Sequence, residues 1–178
     1  MRPDPSNVTL ARVKADVRDW VSDAAVTRAF YASVVYAAVV TVYASDLTDR
    51  PPVIEAMWAV AATAAILFLA HGFAEYVPMI AHAGRASLRD LRTVLWHESP
   101  LLVAALVPIV PLALARVGAI SSSAGYEWSV RLTLVGLFLL ASGLSRRDGL
   151  SWKRSIGAGL AILIVTSLLI LLEASLGH

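Results

Sequence analysis

The chain has 178 residues, 58% hydrophobic and 16% charged, with a formal net charge of +2 and no cysteine. A mean hydropathy of +0.70, with the apolar residues gathered in blocks instead of stripes, excludes a water-soluble globular domain and points to a polytopic membrane protein. The lack of thiols excludes disulfides, thiolate metal sites and redox switching, and the small basic excess calls for no nucleic acid, because basic residues collect where loops face an anionic leaflet.

Residues 1–26 read as a cytoplasmic segment. Within it Leu10, Val13, Val17 and Trp20 or Val21 recur at helical spacing, with Arg12, Lys14, Asp16, Arg18 and Asp19 elsewhere on the wheel. That pattern predicts an amphipathic helix lying on the membrane surface. Residues 27–178 read as a transmembrane domain. Its first span is predicted from Thr27 to Ser45. Val42-Tyr43-Ala44 resembles a small-residue cleavage site, but the charged lead and the full span length favour a retained helix over a signal peptide.

The second span is predicted from Val53 to Val77, opened by Asp49 with Pro51 and Pro52. The following "RASLRDLRTVLWHESP" carries a basic stripe, Arg85, Arg89 and Arg92, beside an apolar one, Leu88, Leu91 and Leu95. It reads as an interfacial connector near acidic headgroups. The third span is predicted from Leu101 to Ile120, with Ser99 as its cap and Pro100 in its first turn. Pro108 and Pro111 remove helical bonds to the carbonyls of Ala104 and Val107, which predicts a kink. The "HES" at His97 is no zinc-protease motif, because the position four beyond His97 is Leu101. The fourth and fifth spans are predicted from Trp128 to Leu144 and from Ser155 to Leu176.

Each block holds roughly the 20 residues that a hydrocarbon core requires, and only helices satisfy their own backbone groups in lipid. The expected fold is therefore all-α, with five transmembrane helices. Basic residues lie in the N-terminal segment, in the second connection (Arg85, Arg89, Arg92) and in the fourth (Arg146, Arg147, Lys153, Arg154). The positive-inside rule then places the N-terminus in the cytoplasm and the C-terminus outside, in a multi-pass protein of the cell membrane. Trp20, Trp96 and Trp152 fall at inner span ends and Trp58 and Trp128 at outer ones, as interface anchors do. Near the outer face Glu55, Arg116, Arg131 and Glu173 share an estimated depth, with Arg131 and Glu173 a candidate pair and Arg116 a snorkelling side chain. Small residues four apart, Ser33 with Ala37, Ala61 with Ala65 and Gly157 with Ala161, permit close helix contact.

The segment "LFLAHGFAEYVPMIAH" holds the chemistry. His71, Glu75, Met79 and His82 share one face of the second span, each step of four residues drifting by about 40° on a helical wheel. Glu75 lies about 33 Å along the helix from Val53, at the cytoplasmic boundary. An imidazole, a carboxylate and a thioether in line can hold a divalent transition metal, and the first two can carry protons. Ionisable groups within a span usually face a bundle interior or an aqueous cavity. The competing reading has Glu75 hydrated at the interface, His71 bonded to it across one turn and Met79 as filler.

"LAHGFAEYVPM" resembles the second span of the vacuolar iron transporter family, with Glu75-Tyr76 on that family's Glu-Tyr step, Ala74 in place of its glycine and His71 in place of its methionine. Pro108 and Pro111 in "LVPIVPLAL" are similar to its third span, and residues 134–170 to its last two. The family's first-span Asn-Asp-Gly motif has no counterpart here, and its glutamate-rich cytoplasmic insertion is reduced to the basic connector. The resemblance implies a five-span transporter of iron or a related divalent cation, manganese or zinc, exchanging protons; a homodimer is expected because five helices of one subunit enclose few polar groups, so that a pathway with enough ligands forms between subunits. Glu75 and His71 would bind the ion and exchange protons, Met79 would add a soft ligand and His82 would recruit ions. No resident cofactor and no enzymatic activity are expected, since no nucleophile–base pair or two-histidine motif occurs. The alternative is a non-transporting membrane scaffold that uses the N-terminal segment and the basic connector to bind partners.

Overall fold

The computed structural model describes residues 23–45, 52–83 and 87–176. They form five helices: α1 (Asp23–Ser45), α2 (Val53–Ala83), α3 (Leu88–Arg116), α4 (Ser122–Arg147) and α5 (Trp152–Leu176). No strand occurs among the described residues. Among those residues α1, α2, α3 and α4 are long and apolar enough to cross a membrane, which fits a polytopic membrane protein. The expected N-terminal amphipathic helix, the Asp49 cap and the side chains of His82 and Glu173 lie outside the described residues.

Sequential helices α2 with α3, α3 with α4 and α4 with α5 pack side by side, while α1 touches all four others and lies chiefly against α3 and α4. The core follows. Ala32, Tyr36 and Val40 of α1 meet Val53, Ala56, Val60 and Ala64 of α2, and Leu101, Ala104, Ala105, Leu112 and Ala115 of α3, with Tyr126 of α4. Alanine at so many core positions lets the helix axes approach closely, which in lipid replaces the missing hydrophobic drive with dispersion contact. On α3 the buried positions Val94, Leu101, Pro108 and Ala115, interleaved with Glu98, Ala105 and Leu112, repeat every seven residues. That is the period of a straight seam between left-handed packed helices. The outward faces stay apolar and exposed, as with Ile66, Leu69, Phe73 and Val77 on α2.

Several buried hydroxyls find partners between or along helices. The Tyr36 hydroxyl donates to the Leu101 carbonyl at 2.9 Å, tying α1 to α3. Ser129 shares its proton between the carbonyls of Pro108 on α3 and Gly125 on its own helix, at 2.8 Å each. Ser33, Thr41 and Thr133 donate to carbonyls one turn back, so each hydroxyl is satisfied inside its own helix.

Three expectations change. α3 begins at Leu88, capped by the Ser87 hydroxyl, and runs through Pro100, Pro108 and Pro111 as one helix. Ser99 and Pro100 therefore do not open it, and the "interfacial connector" is its first three turns. Proline costs a helix one hydrogen bond, not its continuity, when neighbouring helices hold the turn in place. Arg131 pairs with Glu127 one turn back on α4, and its guanidinium lies 5.9 Å from the Trp128 ring centre. Of the small-residue pairs, Ser33 and Ala37 are buried, whereas Gly157 and Ala161 are exposed. The close approach of α5 to α4 falls at Gly159, where a Cβ would strike Ser142 and the Phe138 ring.

Helices α3 and α4 end on glycines of positive φ, Gly118 (79°) and Gly149 (82°), where a side chain would be strained. Bonds from Ala119 N–H to the Leu114 carbonyl at 2.9 Å and from Leu150 N–H to that of Ser145 at 3.1 Å close both ends as Schellman motifs. The first of these turns joins α3 to α4, which pack closely. A Cβ on Gly125 would lie 2.6 Å from Cβ of Ala115 and 3.3 Å from the Pro111 carbonyl oxygen. Gly125→Ala is expected to cost about 1–3 kcal/mol through this overpacking, read as a lower unfolding midpoint in detergent. Gly136→Ala is the control, because its Cβ would meet nothing within 4 Å, and helix propensity then holds or raises the midpoint.

Candidate functional site

Three helix ends meet where the chain places its ionisable residues. Arg28 lies on the second turn of α1, Glu75 in the last third of α2 and Glu98 in the third turn of α3. The antiparallel run of α2 into α3 through a connection of only a few residues fixes Glu75 and Glu98 at a similar height. The central position of α1 then brings Arg28 between them. Arg28 Nη2 contacts Glu75 Oε1, Nε lies 2.9 Å from Glu98 Oε1 and Nη1 donates to the His97 carbonyl at 3.3 Å. A planar fork with several donors suits this bridging, which an ammonium on a flexible stem would not reproduce.

The two carboxylates differ in setting. Glu75 is 42% exposed and Glu98 is 0% exposed, with the Arg28 side chain between them at 22%. The Nε approach to Glu98 is close but off the hydrogen-bonding direction, and neither buried oxygen of Glu98 receives a directed hydrogen bond from the described residues. Glu98 lies within electrostatic reach of Glu75 and His71 as well as Arg28. One guanidinium thus faces two acids, and the more deeply buried acid is the less well satisfied. A buried acceptor without directed donors costs on the order of 1–3 kcal/mol, more when charged, so the position is not explained by stability.

His71 stands one turn deeper on α2. Its Nδ1 bonds the Leu67 carbonyl at 2.9 Å. A carbonyl only accepts, so Nδ1 carries the proton, and in the neutral ring Nε2 is left as the nitrogen with a lone pair. This is the orientation in which a backbone carbonyl sets up an imidazole for ligation. The Tyr31 ring of α1 lies against it, centres 6.0 Å apart at 50°.

The expected ligand stripe is therefore placed as follows. Glu75 and His71 belong to the cluster, Glu75 through Arg28 and His71 through its proximity to Glu98. Met79, four residues beyond Glu75 and past Pro78, is 45% exposed, and the side chain of His82 is outside the described residues. No group of three or more His, Cys, Asp or Glu side chains arranged to hold a metal ion occurs among the described residues. As it stands the carboxylates hold an arginine.

Arg28 and Glu98 were missed by sequence reasoning. Arg28 counts toward topology when the positive-inside rule is applied, and Glu98 falls in the apparent connector ahead of the third apolar block. A signal for Glu98 was present in the seven-residue repeat that carries Val94, Leu101 and Pro108 with Ala105 and Leu112, because Glu98 occupies a seam position of that repeat. For Arg28 no comparable signal exists. Comparison with protein-family models, with curated proteins and with solved structures finds no match to this chain, and nothing in it identifies the vacuolar iron transporter family.

Proposed function

We propose that this chain is a membrane transporter of a divalent transition-metal cation, exchanging protons at the same carboxylates. The observation that carries the reading is Glu98, a wholly buried carboxylate on a spanning helix, set beside a second carboxylate and an imidazole with Nε2 turned to the lone-pair role. Ionisable groups at such positions are costly and are kept where ions or protons pass. Glu75, half open to the surroundings, receives the ion; Glu98 and His71, which do not converge on a metal position while Arg28 holds the carboxylates, would complete the ligand set once the guanidinium yields. Mixed oxygen and nitrogen donors suit manganese, iron or zinc, with Met79 as the soft ligand and His82 as the residue that recruits ions. A metal bound there would release a proton from any protonated ligand, since only deprotonated groups ligate.

The protein in this reading crosses the cell membrane five times, with α5 as the last span, and its N-terminus is cytoplasmic. It works as a homodimer. Support for the second copy comes from α2, where Glu75 and Met79 stay exposed on the face opposite the one that carries Phe73 and Val77. A carboxylate facing hydrocarbon would be expensive, and a facing α2 would cover it and double the ligands along the path.

One observation favours a second reading. Arg28 already compensates part of the acidic charge, as a purely structural ion-pair cluster would, and a non-transporting membrane scaffold needs nothing more. Manganese flux into proteoliposomes separates the two. The wild-type chain is expected to carry Mn²⁺, and His71→Ala with Glu75→Ala to abolish that flux. Equal flux in the double variant rejects the site, and a wild-type chain with neither flux nor saturable Mn²⁺ binding leaves the scaffold.

A further inference from the structure

We propose that Arg28 is the resident occupant of the cation site, a tethered positive charge that the transported divalent cation must displace. The inference rests on the transport reading above and specifies how the same site is kept when empty.

The geometry carries it in three steps. Charge comes first. The guanidinium contributes one positive charge against two carboxyl groups; with both ionised it leaves one negative charge over, which a divalent cation would balance. Coordination follows. Arg28 approaches Glu98 Oε1 through Nε alone and off the hydrogen-bonding direction, and Glu98 Oε2 has no hydrogen-bond partner among the described residues. A ligand oxygen is therefore available in a fully buried position. His71 Nε2 is the second such atom, its ring fixed by the bond from Nδ1 to the Leu67 carbonyl. Access completes the argument. Arg28 sits at the start of α1 between the exposed Glu75 and the enclosed Glu98, with Nη1 on the His97 carbonyl, so a cation arriving along Glu75 meets the guanidinium before it meets Glu98.

Competition for the same oxygens follows directly. A metal on Glu75 and Glu98 would stand within a few ångströms of the guanidinium, and like charges at that range repel strongly where water is scarce. Arg28 then swings away from Glu98 as the ion enters and returns as it leaves. The exchange keeps a positive charge beside the buried carboxylate throughout. Among the described residues the cluster draws its charged and titratable members from three helices: Arg28 and Tyr31 from α1, Glu75 and His71 from α2, and Glu98 from α3.

The test uses the full chain in lipid nanodiscs with Mn²⁺ as the probe. Calorimetric titration of wild type, Arg28→Gln and Arg28→Lys is expected to show tighter binding for Arg28→Gln by about tenfold, within the usual range for coupled ligands. Arg28→Lys, which keeps the charge, stays near wild type. Equal or weaker binding by Arg28→Gln, with wild type still binding, overturns the displacement and leaves transport standing. Absence of binding in both overturns transport and this inference together. A second measurement needs no variant. Modification of Arg28 by a dicarbonyl reagent, mapped by mass spectrometry, should quicken in Mn²⁺ relative to sodium chloride of equal ionic strength. An unchanged or slower rate overturns the proposal, and it decides the matter if Arg28→Gln does not fold.

Discussion

Arg28→Ala is expected to lower the stability of the bundle by about 3–5 kcal/mol, the scale found when one partner of a buried ion pair is removed. The size follows from Glu98, which has 0% exposure and receives its closest cation from Arg28 at 2.9 Å. Without the guanidinium, a buried carboxylate faces a second carboxylate with no compensating charge. A charge-balanced variant, Arg28→Ala with Glu98→Gln, should recover most of the loss, because the cost lies in the uncompensated acid and not in the missing methylenes. Denaturant unfolding in mixed micelles, in the presence of a chelator, measures both. Mn²⁺ should then restore the single variant, since a ligand at a hundred times its dissociation constant adds about 2.7 kcal/mol. Equal stability of Arg28→Ala and wild type would show that Glu98 is hydrated or takes up a proton when the guanidinium is gone.

Glu98→Gln should reduce Mn²⁺ flux by at least about a hundredfold, the upper end of what loss of even an outer-shell partner produces at metal sites. The side chain keeps its shape and loses its charge. Arg28 retains Glu75 through Nη2, so the fold is expected to survive, and removing a poorly directed buried charge leaves stability unchanged or raised. This separation of function from folding is what makes the variant informative. A scaffold would tolerate Glu98→Gln with no measurable change in any activity and with the same gain in stability. Flux in proteoliposomes and the unfolding midpoint of the same preparation report the two effects side by side.

Glu98 also marks where reading along the chain stops being sufficient. The third apolar block begins visibly at Leu101, so the residues before it look like a connector. In the folded chain Val94, Glu98, Pro100 and Leu101 are successive buried positions on one helix that starts at Leu88. Average hydropathy blurs such a boundary, because Arg89 and Arg92 on the exposed face, together with Glu98 itself, outweigh the apolar residues of the buried stripe. The Pro100 signal misleads for a related reason. Proline suits a first turn in isolation, but packing against α1 and α2 carries the helix through it.

What the sequence by itself determined is the class of the protein: apolar blocks of spanning length must be helices in lipid, and a wheel drawn on the second of them places His71 and Glu75 on one face. Both follow from local quantities, the rise per residue, the helical period and the absence of water for backbone groups. Only the tertiary structure decided that Glu75 meets Arg28, and that Arg28 meets Glu98 on a third helix. Those contacts depend on the rotation and depth of α1 against α2 and α3, set jointly by Ala32, Tyr36, Ala56, Val60, Leu101 and Ala105. No stretch of chain encodes such a register alone, because it is a property of surfaces that fit only once all three helices are present.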